Sequence, residues 1–176
     1  MAPHDPGGRS KIPWPAGSII QAEFGGPREC YRYSLFESWD LDKPVVGFLL
    51  HNPSIASTLF ADPTLIRTGN YARRWGYGAQ VIVNVFAYRA TDPQHLLTVD
   101  DPVGPGNENA IDQLAYRAKL VIVAHGQFPP RLRARAQWAV QRLLTLGADL
   151  GVLERSKNGE PKHPLYLRGD LTPIQF

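Results

Sequence analysis

The sequence predicts an α/β protein: a three-layer αβα sandwich around a short, mainly parallel sheet of four strands. Two observations carry this. Four short apolar runs, at residues 45–50, 80–86, 120–124 and 149–153, lack the polar alternation of half-exposed strands and read as strands buried on both faces. Stretches with helical spacing separate them, which implies βαβ units and hence parallel pairing.

The elements follow in order. Residues 1–27 are rich in Pro and Gly and read as an extended arm, pinned by Trp14 and Phe24 to a single α/β domain over 28–176. Residues 30–36 alternate aromatic and apolar side chains with polar ones, as an edge strand does. Residues 41–44 form a turn into the first central strand, 45–50. That strand stops by Pro53, which has no N–H for a ladder. Asp62 and Pro63 suit a helix N-cap and first turn, and Leu65, Ile66, Tyr71 and Trp75 can line one side up to Gly76 and Gly78. QVIVNVF, at 80–86, is rich in β-branched residues. A breaker cluster at 104–107 precedes a helix at 109–118, then the strand LVIVA at 120–124. A long helix from 130 to 146 offers Trp138, Val140, Leu143 and Leu144 for packing, and Gly147 ends it. The fourth strand, 149–153, leads through a turn at 157–161 into 162–167.

Composition limits the function classes. With 176 residues, 43% apolar and 20% charged, the chain buries a core and is not a disordered segment. It has no apolar run of about 18 residues, so no membrane-spanning helix is expected. The N-terminal residues lack the apolar core of a secretory signal, and a cytoplasmic location is the expectation. A lone cysteine, Cys30, excludes an intrachain disulfide and a Cys-based zinc site. No dinucleotide fingerprint, Walker A sequence or G-x-S-x-G elbow occurs, and no two histidines have helical metal spacing. No cofactor or metal is therefore expected. The net charge of +3 and pI near 9.1 permit a polyanionic partner without requiring one. Arg67, Arg73 and Arg74 cluster in one helix and Arg131, Arg133 and Arg135 in another. Each cluster suits phosphate, or is simply a solvated helix face.

What remains is polar residues at strand ends. His51-Asn52-Pro53-Ser54 follows the first strand, Asn84 lies near the end of the second, His125 follows the third, and His163 follows the fourth and its turn. In a parallel sheet these positions share one edge, where ligands bind. Each also has an ordinary reading: Asn52 and Ser54 as turn and cap, Asn84 as a partner for buried backbone, His125 as a buried histidine, His163 as a turn residue before Pro164.

The order of the motifs resembles the bacterial and phage proteins grouped as domain of unknown function 1643. The likeness covers most of residues 32–176 and rests on NPSIAS at Asn52, ADPT at Ala61, ARRWGYG at Ala72, VNVFAYRATDP at Val83, DPVGP at Asp101 and HPLYL at His163. His51 stands where an apolar residue is expected and Ser57 where an acidic one is usual. More distantly, the four strand ends resemble the uracil-DNA glycosylase superfamily in the same order: GFLLHNPSIAS from Gly47, QVIVNVF from Gln80, LVIVAHG from Leu120 and KHPLYL from Lys162. The resemblance implies a glycosylase-like fold. It implies that Asn52 positions a water, Asn84 reads the base edge, and His163 stabilises the leaving base, with a wedging loop after it.

The chemistry of those residue types agrees. Breaking an N-glycosidic bond puts negative charge on the leaving base, which a donor such as His163 stabilises. Asn52 is no base and only holds water through its carbonyl oxygen. Asp62 is the alternative activator, though a helix cap is its simpler role. Asn84 can pair two-fold with a base edge. Phe86 or Tyr88 can stack on a base, and Leu165 or Tyr166 can fill the gap left by a flipped one. His51, Ser54 and Arg89 complete the candidate ligand-binding set. The expected partner is thus a nucleobase-containing ligand, DNA or a free nucleotide. It is cleaved at its N-glycosidic bond, in DNA or in a modified nucleotide, or bound by a non-catalytic nucleotide-, nucleoside- or nucleic-acid-binding module. A basic groove leading to the crevice favours DNA, and a closed pocket with arginines only at its mouth favours a free nucleotide.

Overall fold

The computed structural model describes residues 2, 4–8 and 10–176. In chain order the elements are β1 (Ile19–Gly25), β2 (Tyr31–Ser38), β3 (Val45–Leu50), α1 (Pro63–Arg74), β4 (Ala79–Asn84), α2 (Asn107–Arg117), β5 (Leu120–Val123), α3 (Pro130–Thr145), β6 (Leu150–Val152) and β7 (Ile174–Gln175). They form one mixed sheet in the order β1-β2-β4-β3-β5-β6-β7. The inner four, β4-β3-β5-β6, are mutually parallel and coincide with the four apolar runs.

Among the described residues the sheet has seven strands, not the four expected. β1, β2 and β7 add to the parallel core by antiparallel pairing. Residues 19–25, read as part of the arm, form an edge strand. Their inward residues Ile20 and Ala22 alternate with polar ones, but Pro and Gly on either side mask that short signal. β2, expected at the edge, is covered by β1 and runs on to Ser38.

Asp62 caps α1, its Oδ1 accepting from Leu65 N at 3.0 Å, and Pro63 occupies the first turn. α2 starts at Asn107, before the expected 109, and Asn107 Nδ2 donates to the backbone carbonyl of Asn84 at 2.9 Å. The core lies on both faces of the sheet. Leu65, Tyr71 and Ala72 of α1 pack against Val46, Phe48 and Ile82. Ile111 and Leu114 of α2, with Ala139 and Leu143 of α3, pack against Leu49, Val83 and Val121. α2 lies so close to β3 that a Cβ at Gly47 would come within 2.7 Å of Leu114 Cδ1.

A buried carboxylate fixes α1 to the sheet. Glu37 of β2, with a side chain 1% exposed, accepts from Arg73 Nη2, Gln80 Nε2 and Ser18 Oγ, each at 2.7 Å. Arg73 also lies over the Trp39 ring at 3.8 Å, so this arginine of the α1 cluster is structural. Arg73→Ala leaves the Glu37 charge buried without a counterion. It is expected to cost about 3 kcal/mol of stability, measured by urea unfolding. Arg73→Met combined with Glu37→Gln is expected to cost less.

The connectivity places a crevice. From β3 the chain crosses to the α1 face; from its neighbour β5 it crosses to the α3 face on the other side. The loops after these two strands therefore part, and a gap opens at their carboxyl ends.

Candidate functional site

That gap is a cleft of about 630 Å³, within the range of small-molecule sites. The loop after β3 contributes His51, Asn52 and Ser54, and the loop after β5 contributes His125, Gly126 and Gln127. Asp62 and Thr64 come from the start of α1, Thr91 and Gln94 from the loop after β4, and His163, Leu165 and Tyr166 from the late turn. Gly126 has φ +76, which turns the chain back over the strand ends; a Cβ there would lie 3.3 Å from His163 Cβ.

Hydrogen bonds orient the polar groups. Asn52 Nδ2 donates to the carbonyls of Ala90 at 2.7 Å and Pro53 at 3.1 Å. Both amide hydrogens are thus used, and the group left for a ligand is the acceptor Oδ1. His163 Nδ1 accepts from Leu165 N at 3.4 Å, so its proton sits on Nε2, a donor with no acceptor among the described residues. His51 Nδ1 donates to the His125 carbonyl at 3.0 Å, and its buried Nε2 finds no protein partner among the described residues. Its ring packs on Phe128, centroids 3.9 Å apart. His125 Nδ1 bonds the Gly126 carbonyl at 2.7 Å. Ser54 Oγ and Thr91 Oγ1 share a bond of 2.7 Å.

All three histidines are held neutral by burial. Desolvation lowers the His51 pKa to about 4, against the bond to the His125 carbonyl. Burial also lowers His125, opposed by its bond to the Gly126 carbonyl and by Glu160. It lowers His163 too, opposed by Asp62. A depressed histidine pKa contributes stability that is full above the unfolded value and lost as pH falls. For His51 the window runs from its ordinary 6.5 down to about 4. Unfolding free energy is expected to drop across it, with His51 alone accounting for about 3 kcal/mol. Urea titrations between about pH 7 and pH 4.5 measure the drop, and His51→Phe should flatten it.

Asp62 serves two neighbours. Its Oδ1 caps α1, and no described donor reaches Oδ2. Behind it lies Arg32, 2% exposed, whose Nη1 donates to the Ala56 carbonyl at 3.0 Å. Burial pushes the Arg32 guanidinium down to about 10, and the charge of Asp62 works against that shift. Asp62 is thus the anion that offsets a buried cation.

Of the residues read from sequence, Asn52, His163, Asp62, His51 and Ser54 meet in the cleft. Asn84, Phe86, Tyr88 and Arg89 do not line it. Asn84 is 2% exposed and, by alternation with Gln80 and Ile82, lies on the α1 side of β4. β4 flanks β3 on the side away from β5, so its end is not across the crevice. Phe86 is in the core, edge-on to Phe128 at 5.6 Å. Tyr88 packs against His4 and Tyr31. Arg89 Nη1 donates to the Glu29 carbonyl at 2.9 Å, and its guanidinium lies 5.0 Å from the Phe24 ring centroid. Ser57 also lies off the cleft wall, its Oγ taking the Leu59 N–H at 3.1 Å. Thr64, Thr91, Gln94 and Gln127 also line the cleft, and in the sequence these polar residues, at or near helix starts, pass for caps. Among the described residues, no three His, Cys, Asp or Glu side chains are placed to hold a metal ion. No helix of the described residues is long and apolar enough to cross a membrane.

Fold and cleft together define an α/β protein with a ligand-sized crevice at the switch point of its sheet. The chain belongs to the family described as "Protein of unknown function (DUF1643)", whose profile matches residues 32–165. That span holds every cleft residue except Ser10 and Tyr166. No curated protein and no solved structure matches the chain.

Proposed function

We propose that the cleft takes up a nucleobase and that Asp62, Asn52 and His163 hydrolyse its N-glycosidic bond, in the manner of the uracil-DNA glycosylase superfamily that the strand-end motifs resemble. The observation that carries this is the division of roles among the three side chains. Asn52 presents only an acceptor, Asp62 keeps a carboxylate oxygen free, and His163 presents only a donor.

Asn52 Oδ1 holds a water, and Asp62 takes its proton as the oxygen attacks the sugar C1′. The electron pair of the breaking C–N bond goes to the base. Its developing oxyanion accepts from His163 Nε2–H, which stays protonated there because the imidazole is neutral. The proton on Asp62 then returns to the departing base nitrogen. Gln94 and Gln127 are the cleft amides available to a base edge in place of Asn84, and Tyr166, 87% exposed at the rim, offers a stacking face.

The test is incubation with nucleosides and with oligonucleotides carrying each base, with free base followed by chromatography and binding by calorimetry. Binding of at least one, with base release that depends on Asp62, supports the reading. Binding without release leaves the non-catalytic module, and no binding to any ligand removes both.

A further inference from the structure

Among the described residues, the cleft wall carries no lysine or arginine. A phosphate attached to its ligand must find positive charge elsewhere. One such surface continues from two of the cleft's own elements. Thr64 of α1 lines the cleft, and Arg67, Tyr71 and Arg74 follow it on the same helix face. On the other side, Leu165 and Tyr166 line the cleft, and the chain runs on to Gly169. Between them Arg67, Asn70, Tyr71, Arg74 and Gly169 enclose a second hollow of about 300 Å³.

The arginines of this hollow are underused by the protein. Arg67 Nη2 donates to the Leu167 carbonyl, but its buried Nε has no acceptor among the described residues. Arg74 is exposed and makes no hydrogen bond or ion pair with a described residue. Arg73, between them in sequence, turns inward to Glu37. The acid nearby, Asp170, is engaged by Arg168 at 2.5 Å, so the patch keeps a net positive charge. Along α1, Arg67 and Arg74 are about 10 Å apart, far enough to meet successive phosphates of one strand rather than one phosphate alone.

We infer that the Arg67–Arg74 hollow is a phosphodiester subsite, and that the ligand of the cleft is a base within a nucleic acid strand rather than a free nucleoside. The inference deepens the proposed function and rests on it for the base. The arginines hold the backbone beside the cleft while the base enters it and Tyr166 stands at the junction.

The test uses the full chain, a single-stranded oligothymidylate of about a dozen residues, an abasic strand of equal length and free thymidine. Fluorescence anisotropy over a salt series reads the strands, and calorimetry reads thymidine. Arg67→Ala/Arg74→Ala is expected to weaken oligothymidylate binding roughly tenfold at low salt. Its salt slope should become shallower by about 1.4, because two phosphates of the single strand are no longer neutralised by the protein. Thymidine binding should be unchanged. Arg74→Glu alone, at an exposed position without protein partners among the described residues, should act in the same direction and guards against a folding defect in the double variant. Equal affinity and slope in wild type and variants overturn the inference. So does thymidine binding with no binding of either strand, which leaves the cleft reading standing. Strand binding, abasic included, that depends on the arginines while thymidine does not bind sustains the subsite and removes the nucleobase reading.

Discussion

Asp62→Asn is expected to produce two separate losses. The amide caps a helix as well as the carboxylate does, so α1 keeps its start. The charge is gone, however, and Arg32 is left as a buried cation without its offsetting anion. Stability should fall by about 3 kcal/mol, seen as a lower urea midpoint with an unchanged m-value. If Asp62 is the general base proposed above, release of free base should fall by about 10²–10⁴-fold, the usual contribution of such a base. Asp62→Ala adds the loss of the cap, about 1 kcal/mol more. A variant that keeps full stability would show that Arg32 is neutralised by another group.

His163→Ala should act on rate with little effect on binding. In the proposed reaction its Nε2–H meets charge only as the base departs, so the expected loss belongs to the transition state. About 10²–10³-fold in kcat is expected, with KM nearly constant. His163→Gln keeps an amide donor and should recover part of the rate. A large rise in KM at unchanged kcat would assign His163 to ground-state binding instead.

Much of the fold was legible because the parallel core strands carry an unmixed apolar signal. Residues 45–50 and 80–84 are buried almost throughout, and their short length between turn-forming segments suits VVGFLL and QVIVN to a sheet interior. β1 was not legible, because a half-exposed edge strand of alternating character, Ile20-Gln21-Ala22-Glu23, sits among turn formers. Part of the cleft was legible on the same ground. A strand that ends in His51-Asn52-Pro53 announces its own carboxyl end. Which strand ends face each other depends on strand order, and order is a long-range property. β4 lies beyond β3 rather than across from it, so Asn84, placed in the crevice by its strand-end position and by the glycosylase likeness, belongs elsewhere. The same limit applied to Arg67 and Arg73. Both lie on one helix, but only the contact with Glu37 of β2 separates the structural arginine from the one that borders the hollow.

The most direct test of the cleft as a nucleobase site is ¹H–¹⁵N NMR of the histidine and asparagine side chains during titration with nucleosides and a short single strand. On binding, the His163 Nε2–H resonance is expected to move, together with the backbone amides of Gly126 and Gln127. The Asn52 Nδ2 hydrogens, already held by two carbonyls, should stay in place. If binding left His163 and Gly126 unmoved, or moved only residues outside the cleft, the assignment of this crevice to a nucleobase would be contradicted.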